Sequence, residues 1–246
     1  MNEETLEKMK KLKLFGMYRL FKTSLESGKM EDCTPDEMVS HLMDSELDDR
    51  RNRSIAGLTL RAGFRYKALM EQINFKIDRN LDRNQLMRLS DCSYITKHEV
   101  LLMTGFAGVG KSHIASALGH QACSMGFRVL YYNTAKLIGK LKMAKADGSY
   151  SKMIAKIERQ DLLILDDFGI HPFDSAGRAM LMEIIEDRHG KGSLIITSQV
   201  PVNKWSEVIG EQTIADAILD RIVHQAHRME LKGESLRKKS ALLAAA

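Results

Sequence analysis

Residues 105–112 read Gly-Phe-Ala-Gly-Val-Gly-Lys-Ser, the G-x-x-x-x-G-K-S pattern of a phosphate-binding loop (P-loop). Glycines let the backbone curl so that successive N–H groups point at one anion, and the helix after the loop adds its positive N-terminal end. In this pattern Lys111 binds the β- and γ-phosphates, and the hydroxyl of Ser112 binds Mg²⁺. The candidate nucleotide-binding residues are Gly105, Phe106, Ala107, Gly108, Val109, Gly110, Lys111, Ser112 and His113.

The segments on either side of this loop are those that the motif requires. Residues 99–104 form a short, largely apolar run that predicts a buried strand. Residues 111–125 place apolar side chains at helical spacing, and Gly126 stands where the helix is expected to stop. A strand, a glycine loop and a helix in this order favour a P-loop over a chance glycine-rich turn.

A second apolar segment ends in two acids. Residues 161–167 read Asp-Leu-Leu-Ile-Leu-Asp-Asp, a pattern that predicts a buried strand. Such a strand carries its last side chains to the carboxyl edge of a parallel sheet, where open α/β folds bind ligands. Asp166 is then placed to hold Mg²⁺, directly or through water, and Asp167 to orient and polarise the attacking water. The alternative is an Asp-Asp turn after an ordinary core strand.

Strands and helices alternate along the second half of the chain. Further strands are predicted at 127–132, 192–199 and 228–231, and further helices at 134–146 and 174–189. The alternation predicts an α/β fold in three layers, with a mostly parallel sheet of five strands. One strand lies between the P-loop strand and the Asp-Asp strand, which is the order of ATPases of the RecA and AAA+ kind.

The first hundred residues contain few strand signals and predict a small all-α domain. Apolar residues at helical spacing predict a helix over 4–25. Thr34, Pro35 and Glu37 form a helix start with a capping box, and a third helix is predicted over 55–70. The predicted organisation is a helical module at 1–68, a connector at 69–98, a nucleotide domain with a reduced lid at 99–240, and a tail at 241–246.

Basic residues are concentrated in the helical module. The formal net charge is +5, and no acid occurs between Asp49 and Glu71. Basic patches attract polyanions, and phosphate contacts give affinity that is independent of sequence. Double-stranded DNA is therefore a candidate partner, although a solvated helix face is the alternative interpretation. The candidate DNA contacts are Arg50, Arg51, Arg53, Arg61, Arg65 and Lys67.

The composition is that of a soluble enzyme with no membrane partner. No apolar run approaches the ~20 residues of a membrane span, and no secretory signal is visible. Three widely separated cysteines suggest neither a disulfide framework nor a metal site. His224 and His227 lack acidic or cysteine partners nearby in the sequence, so they are interpreted as a helix face.

These motifs together resemble the IstB-like insertion-sequence transposition helper ATPases, which are AAA+ proteins similar to the bacterial helicase loaders. The resemblance rests on Gly-Phe-Ala-Gly-Val-Gly-Lys-Ser-His-Ile-Ala at 105–115 and Leu-Leu-Ile-Leu-Asp-Asp-Phe-Gly at 162–169. It continues through Gly-Ser-Leu-Ile-Ile-Thr-Ser-Gln at 192–199, Trp205, and Gly-Glu-Ser-Leu-Arg at 233–237. It covers nearly the whole chain.

The resemblance implies roles for three further residues. Gln199 falls at the sensor-one position, where the family usually has asparagine. Arg221 falls where the family places an arginine finger that enters the neighbouring subunit's site, and Arg237 corresponds to a sensor-two arginine. The alternative is that Arg221 and Arg237 are surface arginines paired with Asp220 and Glu234.

The function that the resemblance implies is that of an ATP- and Mg²⁺-dependent switch in the bacterial cytoplasm. The homo-oligomer would assemble on duplex DNA and recruit the transposase of the same element, and hydrolysis would disassemble it. A replicative helicase loader is the alternative with the same ATPase. A small-molecule kinase and a non-enzymatic nucleotide-binding scaffold are the alternatives from other classes.

Overall fold

One parallel sheet forms the centre of the computed structural model, which describes residues 2–28 and 33–236. The strands are β1 (Val100–Gly105), β2 (Val129–Asn133), β3 (Leu162–Phe168), β4 (Ser193–Ser198) and β5 (His227–Leu231). Their order is β2-β3-β4-β1-β5, and every pairing is parallel. The predicted α/β fold with a five-stranded sheet is confirmed, and each strand lies within one or two residues of its predicted position.

Helices cover both faces of this sheet. They are α4 (Arg83–Leu89), α5 (Ser93–Thr96), α6 (Lys111–Ser124), α7 (Thr134–Asp147), α8 (Tyr150–Glu158), α9 (Ser175–Arg188), α10 (Trp205–Ile209) and α11 (Gln212–Val223). Alternate strand residues enter two separate cores: Leu101 and Met103 pack in the core that contains α6, and Leu102 packs in the core that contains α7 and α9. This alternation produces the three predicted layers.

The β3–β4 pairing is irregular at its carboxyl end. Leu165 pairs with Ile196, whereas Phe168 pairs with Ser198, so β3 uses one residue more than β4 over this interval. Asp167 has a φ of +58°, in the left-handed region that few residues other than glycine adopt. The extra residue is a β-bulge, which redirects side chains locally.

The chain divides into two compact units, Met1–Gly57 and Leu58–Ala246. In the first unit, α1 (Asn2–Lys11) and α2 (Phe15–Ser27) precede the start of α3 (Pro35–Ala62). The predicted single helix over 4–25 is wrong, because Lys13 has a φ of +59° and separates α1 from α2. Apolar residues continue at helical spacing on both sides of Lys13, so their pattern does not reveal this break.

The helix start at Thr34 is confirmed, but the length of the helix differs from the prediction. The Thr34 hydroxyl accepts from the Glu37 N–H, and the Glu37 carboxylate accepts from the Thr34 N–H, which completes the capping box. The helix then continues without interruption to Ala62. The separate helix predicted over 55–70 is therefore wrong, and residues 69–98 contain α4 and α5. No helix in the described residues is long and apolar enough to cross a bilayer.

Candidate nucleotide-binding site

The P-loop runs from the end of β1 to the start of α6. Gly108 and Gly110 have φ values of +83° and +103°, which favour glycine. A Cβ at Gly108 would overlap the side chain of Ser235, and one at Gly110 would meet the guanidinium of Arg79. Both glycines are thus required by their backbone conformation, and the close approach of Ser235 and Arg79 adds a second requirement.

Lys111 is the first residue of α6, and its side chain is buried. Its Nζ donates to the carbonyl oxygens of Gly105 and Phe106, at 2.7 and 2.9 Å. Burial lowers the pKa of Lys111, although the charges of Asp167 and Asp166 favour the ammonium form. The loop therefore holds a desolvated cation among its own backbone groups, which is suited to an entering phosphate.

Asp166 is completely buried at the end of β3, and each of its oxygens has two partners. Oδ1 accepts from the Ser112 hydroxyl at 2.7 Å and from the Thr197 hydroxyl at 2.5 Å. Oδ2 accepts from the Tyr131 hydroxyl and lies 3.4 Å from NH1 of Arg65. Burial and the neighbouring Asp166 raise the pKa of Tyr131, so its phenol stays a proton donor to this carboxylate.

The bulge brings the carboxylate of Asp167 to the guanidinium of Arg65, which also contacts Asp166. Consecutive residues of a regular strand point to opposite faces, yet NH1 of Arg65 lies 3.1 Å from Oδ2 of Asp167 as well. The Asp167 N–H donates to the Thr197 hydroxyl at 3.1 Å, and Asn133 Nδ2 donates to Asp167 Oδ2 at 3.2 Å. Thr197 therefore supports both acids: it donates to one carboxylate and accepts from the other residue's backbone.

This arrangement fits a nucleotide with Mg²⁺. The hydroxyl of Ser112 and the carboxylate of Asp166 lie within hydrogen-bonding distance of each other, and hydroxyl and carboxylate oxygens are the hard ligands that Mg²⁺ prefers. The positive φ values of Gly108 and Gly110 turn the loop backbone just before the α6 N-terminus, where backbone N–H groups favour an anion. Ser112 and Asp166 would hold the metal, and the loop with Lys111 would hold the phosphates.

Sequence reasoning missed the part that four residues play in building this site. Tyr131 and Thr197 lie inside predicted strands, where a polar residue near the carboxyl end is the available signal. Arg65 is a predicted DNA contact, but its guanidinium pairs with the two acids. Arg79 is buried and donates to the carbonyl oxygens of Val109 and Asn74, at 3.1 Å each, so it supports the P-loop backbone. No local pattern identifies either arginine.

The residues that the family resemblance singled out lie at different places. Gln199 is exposed directly after β4 and lines a cavity of about 560 Å³ together with Gly105 and Phe106, beside the start of the P-loop. His113 is half-buried on α6, and burial together with the charge of Arg79 lowers its pKa. Arg237 and the tail 241–246 lie outside the described residues.

Arg221 lies near the amino end of β1, whereas the P-loop follows its carboxyl end. It is on α11 and donates to the Ala217 carbonyl at 2.8 Å and to the Glu186 carboxylate at 2.9 Å. It lines a cavity of about 530 Å³ with residues 97–100, at the start of β1. Six strand residues span roughly 17 Å, so the side chain of Arg221 cannot reach the P-loop of its own chain.

The basic residues proposed for DNA have different surroundings. Arg50 donates to the buried carboxylate of Glu46 at 2.7 Å, and Arg53 forms an ion pair with the buried Asp49, with its Nε 2.7 Å from Oδ2. Their charges are thus partly neutralised by acids one helical turn earlier. Arg51, Arg61 and Lys67 are exposed.

The interpretation of two histidines as a helix face needs correction. His227 begins β5, and its Nε2 lies 2.8 Å from the carboxylate of Glu99. His224 directly follows α11 and lies 3.5 Å from Asp220. Asp220 is four residues before His224, so the expectation that no acid lies nearby in the sequence is wrong for this histidine. Glu99 is distant from His227 along the chain, and the sequence does not reveal that pair. No group of three or more metal-ligating side chains occurs in the part of the chain that the structure describes.

Comparison with known proteins adds sequence relatives over nearly the whole chain. A family model described as "IstB-like ATP binding protein" matches residues 7–244. The insertion sequence ATP-binding protein y4pL of Sinorhizobium fredii is 42% identical over 234 residues, which are 95% of this chain and 96% of that protein. The insertion sequence IS21 ATP-binding protein of Pseudomonas aeruginosa is 28% identical over 231 residues, 94% of this chain and 87% of that protein.

Solved structures share the fold at lower identity. The DnaC helicase loader superposes with a TM-score of 0.52 at 21% identity, over 61% of this chain and 87% of that chain. The replication initiator DnaA bound to AMPPCP and single-stranded DNA superposes with a TM-score of 0.59 at 16% identity, over 74% of this chain and 56% of that chain. At these identities the likeness shows the fold alone.

Proposed function

The chain belongs to the IstB-like ATP-binding protein family, and from this premise we propose that it hydrolyses ATP as a DNA-dependent switch in transposition. In this proposal subunits carrying ATP assemble on target DNA in the bacterial cytoplasm and recruit or regulate the transposase of the same element. The relatives' names associate them with insertion sequences and with ATP. DNA, the transposase and the oligomer are our extension to this chain.

The observation that carries the proposal is the hydrogen bond from the Ser112 hydroxyl to the Asp166 carboxylate, which joins the P-loop to the acidic end of β3. A phosphate-binding loop alone is compatible with simple nucleotide binding. A serine hydroxyl beside a buried carboxylate, with a second carboxylate one residue later, provides the groups that hydrolysis requires. This supports an ATPase over a nucleotide-binding scaffold.

Each group has a defined task in the proposed reaction. The P-loop N–H groups and Lys111 bind the β- and γ-phosphates of the substrate, and Asp167 orients the attacking water and accepts its proton. Mg²⁺, held by Ser112 and Asp166, would neutralise charge on the phosphates. Gln199, beside the P-loop, and Arg237 remain proposed contacts to the γ-phosphate.

The position of Arg221 supports assembly. A guanidinium that cannot reach its own P-loop is available to the site of another subunit, and in this proposal hydrolysis depends on neighbours in an array. The exposed Arg51, Arg61 and Lys67 are the proposed contacts to DNA phosphates, with Arg50 and Arg53 sharing their charge with Glu46 and Asp49. The domain division at 68 and 98 stays a proposal.

The proposal is tested by measuring ATP turnover and sedimentation with and without duplex DNA. The parent chain is expected to hydrolyse ATP faster with DNA and to sediment as an assembly when both ligands are present. Arg221→Ala is expected to bind ATP normally and to turn it over slowly. A chain that binds no adenine nucleotide, or stays a monomer with ATP and DNA, contradicts the proposal. A pull-down with the parent chain as bait identifies the partner. Recovery of a replicative helicase instead of a transposase would favour a helicase loader.

A further inference from the structure

The cation between the two acids is the feature that the proposed reaction does not use. NH1 of Arg65 lies 3.4 Å from Oδ2 of Asp166 and 3.1 Å from Oδ2 of Asp167. Asp166 is completely buried and Asp167 is 18% exposed, whereas Arg65 is 43% exposed. The two carboxylates alone have a formal charge of −2, and the Arg65 guanidinium reduces the formal charge of the group to −1.

This contact engages the atoms that hydrolysis needs. Oδ2 of Asp166 accepts hydrogen bonds from Arg65 and Tyr131. Oδ2 of Asp167 accepts hydrogen bonds from Arg65 and Asn133. A guanidinium that donates to a carboxylate oxygen occupies a position that a metal ion or a water molecule would otherwise take. It also places positive charge where a divalent cation would be attracted. The contact therefore competes with a metal ion at Asp166 and with a water molecule at Asp167.

Arg65 and Asp167 also line a basic cavity. Its volume is about 550 Å³, and its charged lining residues are Arg61, Arg65, Lys136, Lys140, Lys156 and Asp167. The three lysines are exposed, and no salt bridge joins them to an acid within residues 2–28 and 33–236. Five cations against one carboxylate form a site for phosphate groups, which arginine binds through two parallel hydrogen bonds.

We propose that Arg65 is a latch: nucleic-acid phosphates that enter this cavity draw its guanidinium off Asp166 and Asp167 and so release the hydrolysis site. This proposal rests on the proposed ATPase and gives it a route by which DNA controls turnover. A half-exposed side chain shared between two acids and an anion-binding cavity is the bistable element that such control requires.

The test compares Arg65→Ala and Arg65→Lys with the parent in two measurements. The first is the Mg²⁺ concentration that half-saturates binding of a fluorescent ATP analogue without DNA. The second is ATP turnover with and without duplex DNA. For Arg65→Ala we expect a several-fold lower Mg²⁺ requirement, several-fold faster turnover without DNA, and almost no further stimulation by DNA. Arg65→Lys, which keeps the charge, should lie closer to the parent in each measurement.

A matched control is Arg128→Ala. Arg128 pairs with Asp161 at 2.7 Å, and Asp161 directly precedes the first residue of β3. Asp166 and Asp167 lie near the last residue of that strand, so this variant removes an ion pair away from the site. It should leave the Mg²⁺ requirement and the turnover unchanged. An unchanged Mg²⁺ requirement in Arg65→Ala, or slower turnover without DNA, would overturn the latch.

The cavity is tested separately by replacing Lys136, Lys140 and Lys156 with alanine together. This variant should keep the slow turnover without DNA and lose most of the stimulation. Full stimulation in it would overturn the role of the cavity, and stimulation of the parent by inorganic phosphate alone would overturn the role of nucleic acid. If the parent hydrolyses no ATP under any condition, the proposed function fails, whereas the Mg²⁺ titration still decides whether Arg65 opposes the metal.

Discussion

Thr197 supports both acids of the site from a single hydroxyl group. It donates to Oδ1 of Asp166 and accepts from the Asp167 N–H, which the bulge has removed from the regular ladder. Thr197→Val keeps the shape and leaves both partners without this contact, so we expect a loss of about 1–3 kcal/mol of unfolding free energy. Urea unfolding of the full chain measures this loss, and a fluorescent ATP analogue reports the accompanying change in Mg²⁺-dependent affinity.

Thr197→Ser is the matched control because it keeps the hydroxyl and removes only a methyl group. The serine variant should retain most of the Mg²⁺-dependent affinity that the valine variant loses. Equal behaviour of the two variants would show that Thr197 acts through packing alone, and the site would then need another support for the Asp167 backbone.

Asp167 combines an unusual backbone conformation with a chemical role, and Asp167→Asn separates the two. Asparagine tolerates the left-handed conformation about as well as aspartate, so the fold should be preserved. Because the amide cannot accept the proton of water, turnover should fall by about 10²–10⁴-fold with little change in nucleotide affinity. Steady-state turnover and equilibrium binding measure the two effects.

Asp174→Asn makes the same chemical change at an exposed acid that caps α9, where asparagine also serves as a cap. Its turnover should match that of the parent. If Asp167→Asn were equally active, the water-orienting group would have to be sought elsewhere, and the proposed role of Asp167 would be wrong.

At the scale of elements, a buried carboxylate fixes α2 against α3. Glu46 accepts from the Gly16 N–H at 2.8 Å and from Arg50 at 2.7 Å. Burial raises the pKa of Glu46, but the hydrogen bonds from Arg50 and the backbone outweigh it, and the net shift is downward. A lowered pKa means that this stabilisation is present above the unfolded value near 4.3 and is lost as the pH falls through the folded value.

Glu46→Gln should therefore be less stable than the parent near neutral pH, and the gap should close on acidification. Thermal unfolding followed by circular dichroism between about pH 6.5 and about pH 3.5 measures it. Glu4→Gln alters an exposed acid in α1 and should show a much smaller gap. A gap for Glu46→Gln that stays constant with pH would mean that packing, and not the charge of Glu46, fixes the two helices.

The accuracy of sequence reasoning differs between elements for a physical reason. Strands β1, β3 and β4 are buried on both faces, so each reads as an apolar run between polar ends and is predicted closely. The helices of the first unit expose most of their surface, and their apolar spacing does not show where Lys13 breaks a helix or that α3 continues to Ala62. The spacing of apolar residues indicates which face of an element is buried. It does not indicate where a helix begins or ends when little of that helix is buried.

The same distinction applies to the site. A motif identifies groups that one loop or one strand end brings together, which is why the P-loop and the pair Asp166–Asp167 can be read from the chain. Tyr131 and Arg65 reach Asp166 from 35 and 101 residues earlier in the sequence. Their contacts depend on strand order and on the path of the chain after α3, and no local pattern contains that information.

At the scale of the whole molecule, the distance between Arg221 and its own P-loop makes turnover a property of neighbouring subunits. Asp167→Asn removes the water-orienting carboxylate but keeps the P-loop and Arg221, and Arg221→Ala keeps the P-loop and Asp167. Each variant alone should be nearly inactive. Mixed in equal amounts in the presence of DNA, they should recover about one quarter of the parental rate, since half of the sites keep Asp167 and half of their neighbours keep Arg221.

Recovery of activity in the mixture requires that one subunit's arginine serves another subunit's site. If Arg221 acted on its own site, or only supported α9 through Glu186, every subunit in the mixture would still lack one essential group and the rate would not rise. The double variant Asp167→Asn/Arg221→Ala supplies the control, because it can restore activity to neither single variant. Turnover measured across a range of mixing ratios should therefore peak near equal amounts, a dependence that separate, independent sites cannot produce.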